Sequence, residues 1–265
     1  MKSGKGGNIK EWWQLRRHPL PHFLIIGAQK GGTSTLYASL STHPEIAAAQ
    51  NKELHFFDRH YVDGIKSYRR QFPELERGQI TGEATPYYIF HPLAPDRVAR
   101  MLPDVKLIAV LRNPVDRAYS QYHSSVRKGF EDLPTFEEAL DAEAERLAGE
   151  REKVIEDPTY DSHSLRRHSY TARGIYADQL ERWFEHFSRE QFLILRSEDF
   201  AARPRRFLRR CESFLGIRRG GAQLESAGRK GRYEPMGDET RKRLEEFYEP
   251  HNRRLQSLLD EDFQW

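Results

Sequence analysis

Lys30, Glu53, His55, Arg112 and Ser120 are residues of this 265-residue chain whose types and settings can do chemistry. Lys30 lies in Gly27-Ala-Gln-Lys-Gly-Gly-Thr-Ser34. In a G-x-x-x-x-G-K-[ST] phosphate loop the lysine follows the second glycine and reaches the β/γ-phosphates of a nucleoside triphosphate. Here Gly27 and Gly32 keep that spacing, Thr33 occupies the lysine position, and Lys30 is the loop's only lysine. Phe23–Gly27 is an apolar run of strand type, and a helix pattern continues to Leu40. Strand, glycine loop and helix together point N–H groups and a positive helix end at an anion. The segment suits a phosphate-like group better than Mg-ATP; a tight βα turn without a ligand would use the same residues.

Glu53, His55 and Asp58 are the acid–base candidates. In an extended segment Glu53 and His55 share one face, with Leu54 and Phe56 on the other. A carboxylate and an imidazole side by side can tune each other's pKa, as a general base requires. By residue type alone, a Glu or His near Phe56-Phe57 also serves as packing. Arg112 ends a buried-type strand, Pro114 opens the next helix in its first turn, and Ser120 lies two turns further in. A guanidinium can make paired charge-assisted bonds to phosphate, and a hydroxyl adds a donor. An ion pair between Arg112 and Asp116 is the structural alternative.

The elements that position these residues follow from periodicity. Apolar β-runs occur at Phe23–Gly27, Lys106–Leu111 and Phe192–Leu195, with a weaker one at Ile80–Ala84. Helical patterns lie at Ser34–Leu40, Val115–Lys128, Tyr176–Phe187 and Arg205–Leu215, and a last one runs from a cap at Asp238 to Leu259. Alternating strands and helices imply an α/β fold: a single P-loop-like domain with a central parallel sheet flanked by helices. Ligands of such sheets bind at the carboxyl ends of the strands, where Gly27, Ala84 and Arg112 fall. Thr135-Phe-Glu-Glu138 reads as a capping box opening a helix to about Gly149. Residues 151–173 read as a long polar loop on the substrate side.

Composition narrows the class. A formal net charge of +3 gives no footprint for nucleic acid. The single cysteine, Cys211, cannot form an intrachain disulfide and sits in an apolar helix pattern. The basic stretch to His18 has no signal-peptide core, and no run reaches the roughly 20 apolar residues that span a bilayer. A cytoplasmic location is the expectation, with residues 1–20 as a partly disordered tail and 21–265 as the domain. No metal-ligand cluster stands out, so no metal is expected.

From Gln29-Lys-Gly-Gly-Thr-Ser-Thr-Leu36 onward, the motifs resemble those of sulfotransferases that use 3′-phosphoadenosine 5′-phosphosulfate (PAPS), above all the heparan sulfate branch. The others are His43-Pro44, Asn51-Lys-Glu-Leu-His-Phe-Phe-Asp58, Gly82-Glu-Ala-Thr-Pro86, Leu111-Arg-Asn-Pro-Val-Asp-Arg-Ala-Tyr-Ser120, Lys230-Gly-Arg232 and Trp265. The resemblance implies that Lys30, Gly31, Gly32, Thr33 and Ser34 hold the 5′-phosphosulfate. It assigns Arg112 and Ser120 to the 3′-phosphate, with Lys230, Gly231 and Arg232 closing over it. Glu53 then takes the acceptor proton with His55 in support, or the two exchange roles. Asp58, Ala84 and Thr85 fall on the acceptor side. One departure is plain: the heparan sulfate enzymes have lysine before Thr-Pro, where Ala84 stands here. Lys66, Arg69 and Arg70 are candidates for replacement charge. The acceptor stays open among glycan, lipid and small-molecule hydroxyls, and so does the oligomeric state. A P-loop kinase or NTPase and a catalytically silent nucleotide-binding module are the alternatives.

Overall fold

The computed structural model describes residues 18–226 and 233–265. Residues 1–17 of the expected tail, and Lys230, Gly231 and Arg232, lie outside the described residues. His18 is tied down: its Nδ1 is 2.7 Å from the Phe72 carbonyl, and its own carbonyl accepts from Arg69. Arg69 is thus used in anchoring the chain.

Five strands make one parallel sheet: β1 Phe23–Gly27, β2 Ile46–Ala48, β3 Ile80–Ala84, β4 Lys106–Leu111 and β5 Phe192–Arg196. Their order is β2-β3-β1-β4-β5, with every neighbouring pair parallel. Only β2 carries no sequence signal, being three residues long and mostly alanine. The helices are α1 Thr33–Ser41, α2 Gly64–Arg69, α3 Ala94–Met101, α4 Pro114–Arg127, α5 Phe136–Asp141 and α6 Glu143–Leu147. They continue with α7 Glu150–Glu156, α8 His163–Arg167, α9 Tyr176–Phe184, α10 Ser197–Ala202, α11 Pro204–Leu215 and α12 Asp238–Leu259.

Both faces of the sheet are covered, which explains why the central strands read as continuous apolar runs. Leu24, Ile26, Leu107, Ala109 and Leu111 face Leu180 and Trp183 of α9. Phe23, Ile25, Ile108 and Val110 face Leu36 and Leu40 of α1 and Phe207, Leu208 and Cys211 of α11. Burying each large side chain is worth about 1.5–3 kcal/mol, and this pins the register of the strand ends.

Three local expectations are corrected. The capping box at Thr135 is present, but its helix breaks after Asp141. Glu143 turns inward there to accept from the amides of Thr171 and Ala172, a partner no helix period announces. Residues 151–173 are not one loop: they contain most of α7, all of α8 and the start of a 3₁₀ turn. Asp157 closes a turn on Thr159, and Ser162 caps α8 through the Leu165 amide. Asp238 does not cap α12: it is the first helical residue, after Gly237, and the helix has no side-chain cap.

Candidate active site

Because β3, β1 and β4 are adjacent, Ala84, Gly27 and Leu111 end side by side. The glycine loop after β1 is laid against β4. Ala28 N–H donates to the Val110 carbonyl at 2.9 Å, and Gly31 N–H donates to the Ala28 carbonyl at 2.9 Å. A Cβ on Gly31 would lie 2.2 Å from the Val110 carbonyl oxygen, so only glycine fits. Lys30 takes φ 73° and Gly32 φ 99°. No side chain caps α1, which leaves its first N–H groups for an external acceptor. Burial, then the positive charges of Arg127, Lys128, Arg112 and Arg117, lower the Lys30 pKa to about 8. Thr33 and Ser34 open α1 beside it.

Arg112 stands one residue past β4 with its Nη1 3.4 Å from the Lys30 carbonyl. Its own carbonyl accepts from the Tyr176 hydroxyl at 2.8 Å, and Trp265 packs on the Tyr176 ring. The pairing of Arg112 with Asp116 is not formed; Asp116 binds Arg241 at 2.9 Å instead. Asn113 caps α4 through the Val115 and Asp116 amides, Pro114 is its first residue, and Ser120 is nearly buried two turns in. His43, by contrast, is structural: its Nε2 meets the Arg218 carbonyl and its Nδ1 accepts from Glu45 N–H.

The segment with Glu53 is not extended. Glu53 takes φ 62° and His55 φ 51°, both left-handed, before a π-helical turn at Phe56–His60. Glu53 and His55 still meet, His55 Nε2 lying 3.7 Å from Glu53 Oε2. His55 Nδ1 donates to the buried carboxylate of Asp58 at 2.7 Å. Burial works against the imidazolium, yet the hydrogen bonds and charges of Asp58 and Glu53 overcome it and raise the His55 pKa to about 9. Burial also opposes the Glu53 charge, but His55 and the contacting Lys52 ammonium bring its pKa down to about 2.

Ala84 and Thr85 do not line a cleft as acceptor-side residues. The Ala84 methyl is in the apolar core, and what it offers is a carbonyl that accepts from Glu53 N–H at 3.1 Å. Thr85 is fully buried and its hydroxyl accepts from His55 N–H at 3.3 Å. Asp58 likewise acts on His55 from inside. Ala84 is carried inward by its pairing with Ile25 at the end of β3, and Thr85 follows directly after it.

Across from this turn, a small polar cleft opens beside Lys30, lined also by Gln121, Ser124, Lys128, Arg166 and Arg167. No carboxylate is among its lining residues. Arg167 lies over the Phe130 ring at 3.7 Å. Behind the cleft, buried Arg173 donates to the side chain of Gln29 and, at 2.7 Å, to the Leu165 carbonyl.

The sulfotransferase-domain family matches residues 20–253. The chain belongs to the sulfotransferase family. Heparan sulfate glucosamine 3-O-sulfotransferase 3B1 of Homo sapiens is 36% identical over 270 residues, covering 93% of this chain. Heparan sulfate glucosamine 3-O-sulfotransferase 6 of Homo sapiens is 34% identical over 273 residues, covering 94% of this chain and 75% of that protein. The chain spans only 65% of the length of the 3B1 protein. The crystal structure of a sulfotransferase from Alicyclobacillus acidocaldarius is similar at a TM-score of 0.74 and 32% identity, covering 92% of this chain and 98% of that chain. No helix among the described residues is long and apolar enough to cross a membrane.

Within this sulfotransferase domain, residue-type reasoning passed over Glu83, Tyr68 and Tyr88. The hydroxyls of Tyr68, Tyr88 and Thr85 donate to the Glu83 carboxylate at 2.8, 2.9 and 2.7 Å. A carboxylate inside a strand that is otherwise apolar or small was the available signal. Arg97 was missed as well: its Nη1 donates to the Phe57 carbonyl at 2.8 Å and its Nη2 to the Pro158 carbonyl at 2.9 Å. Glu83 lies inside the Gly82–Pro86 motif, but Tyr68, Tyr88 and Arg97 lie outside every motif, so spacing alone does not mark them.

Proposed function

We propose that the protein moves a sulfuryl group from PAPS to an acceptor hydroxyl. The observation that carries this reading is the juxtaposition at adjacent strand ends. A glycine loop carrying Lys30, with Arg112 against it, follows β1, and a carboxylate–imidazolium–carboxylate turn is bonded to the end of β3. PAPS supplies the activated sulfuryl group. The donor set fits it: the Gly31 backbone has no Cβ to block close approach, the α1 amides are uncapped, and Lys30 and Arg112 lie together. Lys30, Gly31, Gly32, Thr33 and Ser34 would hold the phosphosulfate, with Arg112 and Ser120 on the 3′-phosphate.

Lys30 neutralises charge that grows on the departing phosphate oxygen; a preorganised donor of this kind is worth about 10²–10³ in rate. Glu53 takes the acceptor proton. His55 is poorly suited to that task, because Asp58 and Glu53 keep it protonated at neutral pH. It steadies Glu53 instead. With a pKa near 2, Glu53 is a weak base. The proton therefore moves late, once bonding to sulfur has made the acceptor hydroxyl acidic.

The cationic cleft beside Lys30 supports an acceptor that carries negative charge near its reactive hydroxyl, and a glycan is the leading class. The protein should be incubated with radiolabelled PAPS and matched sulfated glycan, neutral glycan and simple alcohol acceptors, with and without a metal chelator. Formation of 3′-phosphoadenosine 5′-phosphate together with a product heavier by one sulfate, undiminished by chelator, is the expected result. Magnesium-dependent ATP consumption without PAPS turnover would instead establish the kinase alternative.

A further inference from the structure

Glu83 has no place in the transfer steps, yet it is a fully buried carboxylate directly behind them. Burying such a group is costly, and an apolar residue of similar volume would usually serve stability as well or better. What it does to its neighbours is specific. Burial pushes the Glu83 pKa up while the three hydroxyls that donate to its two oxygens act the other way and hold it as an acceptor; a carboxylate so used only accepts, whereas each hydroxyl has one proton to give. Tyr68, Tyr88 and Thr85 all spend theirs on Glu83. Their oxygens must therefore accept elsewhere. Thr85 accepts from His55 N–H at 3.3 Å, and Tyr88 accepts from Phe56 N–H at 2.8 Å and Phe57 N–H at 3.3 Å. Tyr68 stacks on the Phe56 ring with centroids 4.2 Å apart.

Three successive amides of the base turn are thus gripped by groups whose polarity Glu83 dictates. The turn needs such a grip, because two of its residues with side chains sit in the left-handed region, which costs roughly 1–2 kcal/mol each. We infer that Glu83 is the positioning residue of this sulfotransferase: through Thr85 and Tyr88 it fixes the backbone of residues 55–57, and so the alignment of Glu53, His55 and Asp58. The inference rests on the function proposed above only for the meaning of that alignment; the geometry it predicts is independent of any reaction.

Glu83→Gln tests it. The amide keeps the shape but turns one oxygen into a donor, so Thr85 or the two tyrosines can no longer all give their protons to it. Imidazole NMR of the free protein follows His55, which is faced by Asp58, Glu53 and, beyond Glu53, Lys52. The His55 midpoint should fall from about 9 towards the ordinary value of 6.5 in Glu83→Gln. Turnover should fall about 10- to 100-fold, as expected for a misplaced catalytic group, with the affinity for 3′-phosphoadenosine 5′-phosphate unchanged. Tyr88→Phe leaves the carboxylate in place and removes one hydroxyl, which gives to Glu83 and accepts from two amides; it should reproduce the shift in weaker form, and it decides the matter if Glu83→Gln does not fold. A melting temperature lowered in both variants with the His55 midpoint unmoved would reduce Glu83 to a stability element and overturn the inference. Absence of PAPS turnover in the unaltered protein would sink the proposed function while the NMR result still decides the role of Glu83.

Discussion

Around Lys30 the backbone does the holding, whereas around Glu53 side chains do it. The glycine loop is shaped by Gly31 pressed against Val110 and by two main-chain bonds, and of the cations lining the cleft beside it Arg166 is paired with Asp161 while no carboxylate lines the cleft itself. The base turn is shaped by Tyr68, Tyr88, Thr85 and Glu83, and its charges are already paired through Lys52, His55 and Asp58. One region is electrostatically unfinished and completed by an anion. The other is finished beforehand and presents only one half-exposed carboxylate. A site that must bind a highly charged donor and deprotonate a neutral hydroxyl benefits from that division, since an incoming anion is drawn to one half alone.

The comparison breaks most visibly in turnover. Lys30→Ala should reduce kcat about 10²–10³-fold for alcohols and acidic phenols alike, because it acts on the leaving oxygen. Glu53→Gln should cost about 10²–10⁴-fold with an alcohol but much less with a nitrophenol, which needs less help from a base. Transfer assays with matched acceptors, and circular dichroism to check folding, give the answer. Near-native alcohol turnover by Glu53→Gln would remove it as the base.

A smaller effect is expected at the cofactor alone. Arg112→Ala should weaken 3′-phosphoadenosine 5′-phosphate by about 1.5–3 kcal/mol, roughly 10- to 150-fold, and adenosine 5′-phosphate far less. Equal losses by calorimetry would mean that Arg112 serves the loop, through its contact with the Lys30 carbonyl, and does not read the 3′-phosphate.

The smallest effects lie in pH. Lys30 must keep its proton, and in the free protein its pKa is about 8, so kcat/KM should fall as pH rises through that value. A bound anion favours the ammonium, so the corresponding limb of kcat should lie higher. Glu53 must be ionised, and a pKa of about 2 leaves kcat/KM flat on the acid side. Lys52→Ala removes a cation from Glu53, raises its pKa, and should bring the acid limb upward with a few-fold loss near pH 4. Profiles of the two constants measured side by side separate these groups.

The same contrast explains what was legible in the residues themselves. Gly27, Lys30 and Gly32 lie within six positions, and the strand, glycine and helix signals agree, so the loop is readable locally. Arg112 and Pro114 are readable for the same reason. The base turn was readable only as a set of types: its expected extended form fails because the restraints come from Tyr68, Glu83 and Tyr88, up to 32 positions away. The break after Asp141 fails similarly, its cause being a glutamate that binds amides 28 positions on. Main-chain restraints leave marks in local sequence; side-chain restraints across the fold do not.

Arg97 joins the turn at Phe57 to the strand of chain at Pro158, and both bonds run from one planar guanidinium. A side chain of fixed length therefore sets the gauge between the base turn and the segment facing it. Widening that gap would forfeit at least one of these charge-assisted bonds, about 1.5–3 kcal/mol. In engineering terms, altering Arg97 changes a dimension, whereas altering Lys128 or Arg167 changes a charge.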